Sequence, residues 1–147
     1  MSAINQNETP IFTALKQYHK RNVIAFDVPG HKHGKGLKEF ADFVGSNIME
    51  VDVNAMKCLD NICNPIGVIK QAEELAAYAF GSDNAYFLVN GTTAGVQAMI
   101  MSACKPGDKI ILPRNAHKSA ISGIILSGAI PIYIQPEINE ELGIAMG

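Results

Sequence analysis

From Val68 onward, the apolar residues Val68, Ala72, Leu75, Ala76, Ala79 and Phe80 recur with the 3.6-residue period of a helix. Gly81 follows where a helix C-terminus favours a left-handed residue, so the spacing predicts a helix from Gly67 that ends there. The next apolar run, Ala85 to Val89, predicts a strand. The pattern then continues as helix (Thr93 to Ala103), strand (Lys109 to Leu112), helix (Lys118 to Ser127) and strand (Ile130 to Ile134). Strands alternating with helices at these lengths imply an α/β fold whose strands pair in parallel through right-handed crossovers.

The first part of the chain is less regular. Thr9 and Pro10 read as an N-cap and first helical position, and Ile11, Leu15 and Tyr18 recur at helical spacing toward Arg21. Pro29 to Gly36 holds His31, Lys32, His33 and Lys35 among three glycines and reads as an exposed basic loop of the kind that reaches ligands. Leu37 to Pro65 predicts loop and short helical pieces. The expected division is residues 1–66, an N-terminal helix with a loop segment, and residues 67–147, the start of the α/β domain. Glu140 to Gly147 follow only a third strand, and three parallel strands with an open apolar edge are a poor stopping place. A truncated domain is therefore expected.

Composition narrows the function classes. A chain of 147 residues, 48% of them hydrophobic, has the material for one core. Its 12 basic and 14 acidic residues give a net charge of -2, which supplies no attraction for nucleic acid or an acidic membrane. Cys58, Cys63 and Cys104 are odd in number, lack C-x-x-C spacing and read as free thiols of a reducing compartment. No basic-then-apolar leader begins the chain, and the apolar region from Ala120 to Ile134 is broken by Gly123, Gly128 and Pro131. The expected location is the cytoplasm.

Two segments carry candidate chemistry. Asn90-Gly91-Thr92-Thr93-Ala94-Gly95 joins the run ending at Val89 to the following helix, so N–H groups, hydroxyls and the positive end of a helix dipole converge as in a phosphate cradle. Taken alone, the same segment also reads as a helix N-cap with a glycine for tight packing. Pro113-Arg114-Asn115-Ala116-His117-Lys118-Ser119 ends the next strand, and loops after successive parallel strands emerge on one sheet edge. His117 by itself suits a capping histidine as well as a ligand platform. His31, His33, Cys58 and Cys63 match no common metal-site spacing, so no metal is expected. Asp52 and Asp60 read as solvated loop carboxylates. A nucleotide-binding unit is disfavoured because Gly91 and Gly95 do not supply a G-x-G-x-x-G turn.

The ordered series Asp27-Val28-Pro29-Gly30-His31-Lys32, Ala79-Phe80-Gly81, Phe87 to Gly95 and Arg114 to Ser119 resembles the ornithine/lysine/arginine decarboxylase family, from about Pro10 to the end of the chain. The resemblance implies a pyridoxal-phosphate enzyme of aspartate aminotransferase fold: a three-layer α/β sandwich with a mostly parallel sheet, of which this chain is the N-terminal part of the major domain. It implies decarboxylation of arginine, lysine or ornithine toward polyamine precursors, and a homodimer or higher homo-oligomer with a small amino-acid substrate. Gly91, Thr92, Thr93 and Ala94 would hold the cofactor phosphate. His117 would be catalytic and bind the cofactor by lying against the pyridine ring, Asn115 and Ser119 would support its loop with Ser119 counted among the cofactor-binding residues, and His31 would sit near the substrate entrance. Asp60-Asn61-Ile62-Cys63-Asn64-Pro65 departs from the family's Asp-Asp-Leu-His-His-Pro pattern, which puts a histidine role there in doubt. The family's Schiff-base lysine comes later than Gly147, and Lys118 matches the stacking loop instead. The competing expectation is a non-catalytic fragment that binds a phosphorylated ligand or pairs with a complete subunit.

Overall fold

Pro10 opens the first helix because its fixed φ suits a first helical position and its missing N–H costs nothing there. In the computed structural model, which describes residues 4–146, this helix is α1 (Pro10–Lys20). Met1–Phe87 and Leu88–Gly147 form two separate units. The first holds α1, α2 (Lys38–Val44), α3 (Ser46–Val51) and α4 (Val68–Phe80), with α1 packed on α3 and α4. The short pieces expected between Leu37 and Pro65 are α2 and α3. Gly81 closes α4 with φ +67, as the spacing predicts.

Asp60 is a correction. Expected as a solvated carboxylate, it is 8% exposed, and its two oxygens accept the N–H groups of Asn61, Ile66, Gly67, Ile69 and Lys70. Those donors include the first turn of α4, so a residue in the preceding loop caps this helix from a distance. Burial alone would push the carboxyl up. The N–H donors outweigh it and hold the group at about 2. Tyr18, buried on α1, stands edge-on to His33 at 6.3 Å between ring centroids. Its hydroxyl is pushed above the ordinary value by burial first, then by Asp27 and Cys58.

The run from Ala85 to Val89 is a second correction, because it joins no sheet. β propensity reflects packing against neighbouring strands, and the described residues offer this run no ladder partner. Phe87 instead donates its N–H to Glu73 Oε1 at 3.0 Å. Glu73 is 3% exposed, and its Oε2 is buried without a hydrogen-bond partner among the described residues.

The second unit runs α5 (Gly91–Ala103), β1 (Lys109–Pro113), α6 (Lys118–Ser127) and β2 (Ile130–Ile134), then a small hairpin of β3 (Ile138–Asn139) and β4 (Ile144–Ala145). β1 and β2 pair in parallel, from Lys109 opposite Ile130 to Pro113 opposite Ile134, with α6 as the crossover. The parallel sheet among the described residues has these two strands, fewer than expected. Its core is Ile100, Leu112, Ile124 and Ala129, with Val96, Ala116 and Ile121 packed against them. α5 and α6 meet closely because Gly123 has no side chain: a Cβ there would lie 2.9 Å from Ile100 Cδ1 and 3.4 Å from Gln97 Cα. No described helix is long and apolar enough to cross a membrane.

Candidate functional site

The chain turns from Val89 into α5 through two successive left-handed residues, Asn90 at φ +68 and Gly91 at φ +69. Asparagine tolerates that conformation and glycine adopts it freely, which is the local reason the sequence places them together. Among the described residues no side chain caps α5, and its first turn carries no acidic residue. The orphan N–H groups and the positive dipole end are thus unanswered by a side chain of this helix. Gly91, Thr92 and Thr93 are exposed and Ala94 is half-buried. A Cβ on Gly91 would meet nothing within 4 Å, so open space adjoins the turn. Gly95 serves the packing reading: its missing Cβ would lie 2.5 Å from Leu88 Cδ1. An open, uncapped helix start and a tight packing contact are therefore separate features of one segment, carried by different residues.

The second segment follows β1. His117 is the N-cap of α6, with extended backbone at φ -60 and ψ 147. Its Nδ1 accepts the N–H of Ser119 at 3.2 Å, and Ser119 Oγ lies 2.8 Å from the same nitrogen. Ser119 is 4% exposed while His117 is exposed. The imidazole is consequently tied by one nitrogen with its ring open to solvent. Lys118 is exposed at the first position of the helix. Arg114 donates its N–H to the Ile134 carbonyl at 2.8 Å and sets its guanidinium over the Tyr133 ring, 4.9 Å from the centroid. Val96, in the second turn of α5, and Ala116, beside His117, pack on the same core cluster. The two segments therefore border one core, but the expectation that both follow successive parallel strands fails for the first, because the run from Ala85 to Val89 pairs with no strand.

His31 lies in the other unit. Its Nδ1 accepts the Gly34 N–H at 3.1 Å, and its Nε2 pairs with Asp52 Oδ2, also at 3.1 Å. Both ring nitrogens are taken up within the first unit, so this basic loop is braced by its own backbone and by Asp52 at the end of α3. His19 forms a second histidine–carboxylate pair, with Glu50. The capping carboxylate of Asp60 and the buried Glu73 escaped the sequence reading. The one available signal for Asp60 was an aspartate ahead of an uncapped glycine start, seven residues before Gly67, too far for capping-box spacing.

An exposed, side-chain-free helix N-terminus with two threonine hydroxyls can accept an anion, and a fixed, exposed imidazole can cover one face of a flat ring. The residues present fit a phosphorylated aromatic group.

Comparison with known proteins adds the following. Residues 9–147 match the family model described as the Orn/Lys/Arg decarboxylase, major domain. The chain is similar to arginine decarboxylase of Bacillus anthracis, 49% identical over 148 residues, covering 100% of this chain and 30% of that protein. It is 48% identical to arginine decarboxylase of Bacillus subtilis (strain 168), covering 98% of this chain and 30% of that protein. Among solved structures, the constitutive lysine decarboxylase of E. coli superposes with a TM-score of 0.83 at 30% identity, over 95% of this chain and 21% of that one. The chain thus spans about 30% of the length of the curated relatives it matches.

Proposed function

Because the chain belongs to the Orn/Lys/Arg decarboxylase family, we propose that it supplies the phosphate cradle and ring platform of a pyridoxal-phosphate-dependent decarboxylase of basic amino acids. Arginine is the first substrate to assay, given the identity to the two Bacillus arginine decarboxylases. The whole protein would carry the three-layer sandwich and work as a homodimer or higher homo-oligomer, a reading supported by the family resemblance.

The observation that carries the proposal is the N-terminus of α5, which has no side-chain cap and no acidic residue in its first turn, next to exposed Thr92 and Thr93. Backbone N–H groups from Gly91 to Ala94 and the two threonine hydroxyls bind the phosphate, where the helix dipole adds to the attraction. His117 covers one face of the pyridine ring, excluding water and holding the ring's orientation. Pyridoxal phosphate, when bound, supplies the electron sink that lets an α-amino acid lose its carboxylate as carbon dioxide.

The test replaces Thr92 and Thr93 by alanine in the whole protein and titrates pyridoxal phosphate by absorbance. A hydrogen bond to a charged partner is worth about 1.5–3 kcal/mol, so each loss should weaken binding by roughly tenfold or more. Unchanged affinity in the double variant would remove the cradle assignment. Release of carbon dioxide from arginine, lysine and ornithine, measured side by side, selects the substrate.

A further inference from the structure

Both polar atoms of Ser119 converge on one nitrogen of His117: the N–H at 3.2 Å and Oγ at 2.8 Å from Nδ1. A main-chain N–H can only donate, so Nδ1 must present its lone pair. On this hydrogen-bond network the ring proton sits on Nε2. Ser119 is buried at 4% exposure, so water does not compete freely for its hydroxyl, and the ring is held in its plane from the protein side.

We propose that Ser119 is a positioning residue that locks His117 as the neutral Nε2–H tautomer, leaving an open ring face and a single outward donor. The inference rests on the reading of His117 as the cofactor's platform, and it gives Ser119 a role through His117. A neutral imidazole can lie against an electron-poor pyridine ring without setting two positive charges face to face. The anchored Nδ1 also resists ring rotation, so orientation is set before the cofactor arrives. Comparison with His31 shows what is particular to His117. In both residues Nδ1 accepts a nearby main-chain N–H, but Nε2 of His31 is consumed by Asp52. Nε2 of His117 has no hydrogen-bond partner among the described residues, so this histidine keeps a donor for a ligand.

The experiment is long-range proton–nitrogen NMR on the whole protein, labelled with nitrogen-15 histidine, without cofactor, with His117→Gln used to assign the signals. The expected spectrum shows Nδ1 bare and Nε2 carrying the proton. A proton on Nδ1 overturns the lock. Ser119→Ala removes the hydroxyl but keeps the N–H, so Nδ1 should stay bare while the His117 signals broaden as the ring gains freedom, and pyridoxal-phosphate binding should weaken roughly three- to tenfold, the worth of one hydrogen bond. Ser119→Thr should restore both. Wild-type His117 signals in Ser119→Ala, with wild-type affinity, would strip Ser119 of the role. The wild-type spectrum needs no variant to fold, and it is independent of the Thr92 and Thr93 titration. A normal tautomer with an unaffected threonine double variant rejects the cradle while keeping the lock, and the reverse result does the opposite.

Discussion

At His117 the cap and the exposed ring face are separable, because capping uses the in-plane lone pair of Nδ1 and stacking would use the π face. Asparagine also caps helices well but has no aromatic face. His117→Asn should therefore leave the thermal midpoint nearly unchanged while weakening pyridoxal-phosphate binding by roughly tenfold, read from a melt and a titration of one preparation. A stable variant with full affinity would mean that the ring only caps α6. Asp60 makes a different residue-scale prediction, with its sign set by the depressed carboxyl. The group is held at about 2, below its ordinary 3.8. The stability it contributes is complete above the ordinary value and is lost as pH falls from about 4 toward 2. Asp60→Asn should lower the thermal midpoint at neutral pH, and the gap from wild type should narrow across that acid window. A gap that persists unchanged at pH 2 would show that the charge is not what matters.

α4 and α5 answer the same electrostatic problem in opposite ways. α4 begins at an uncapped glycine and is closed by the Asp60 carboxylate from within the chain. α5 begins at two left-handed residues with no capping side chain and no acidic residue in its first turn. One helix end is thereby satisfied by a carboxylate and the other is left without a side-chain partner. The α5–α6 contact depends on Gly123, whose missing Cβ admits Ile100 and the backbone of Gln97. Gly123→Ala gains helix propensity of up to about 1 kcal/mol but overpacks a buried contact at about 1–3 kcal/mol, for a net loss of about 1 kcal/mol. Denaturant unfolding would measure it, and a more stable variant would show that the helices can part without cost. The helices of this region, together with β1 and β2, were readable from periodicity, since each buries one face against a near neighbour in sequence. The run from Ala85 to Val89 has the same local character as β1 and is not a strand, because pairing depends on what lies alongside.

At the scale of the whole molecule, much apolar surface remains open within each unit. In the first, Phe26, Phe43 and Tyr86 are exposed; in the second, Leu88, Val89, Ile111, Ile130 and Ile134. Apolar surface of that extent favours association. On its own, the 147-residue chain should sediment as species heavier than 15.8 kDa as concentration rises. A single species of that mass at every concentration would count against an adhesive surface. What the sequence determined by itself is whatever depends on neighbours along the chain: helical periods, the glycine stop at Gly81, the helix start after Asn90, and the order of motifs that marks the family. What only the tertiary structure decided is whatever depends on groups that meet across space. Asp60 reaches α4 through a folded loop, Glu73 holds the N–H of Phe87, and Ser119 closes on the ring of His117. A buried carboxylate and a surface one carry the same letter, and desolvation with the donors it encounters separates them only after the chain has folded.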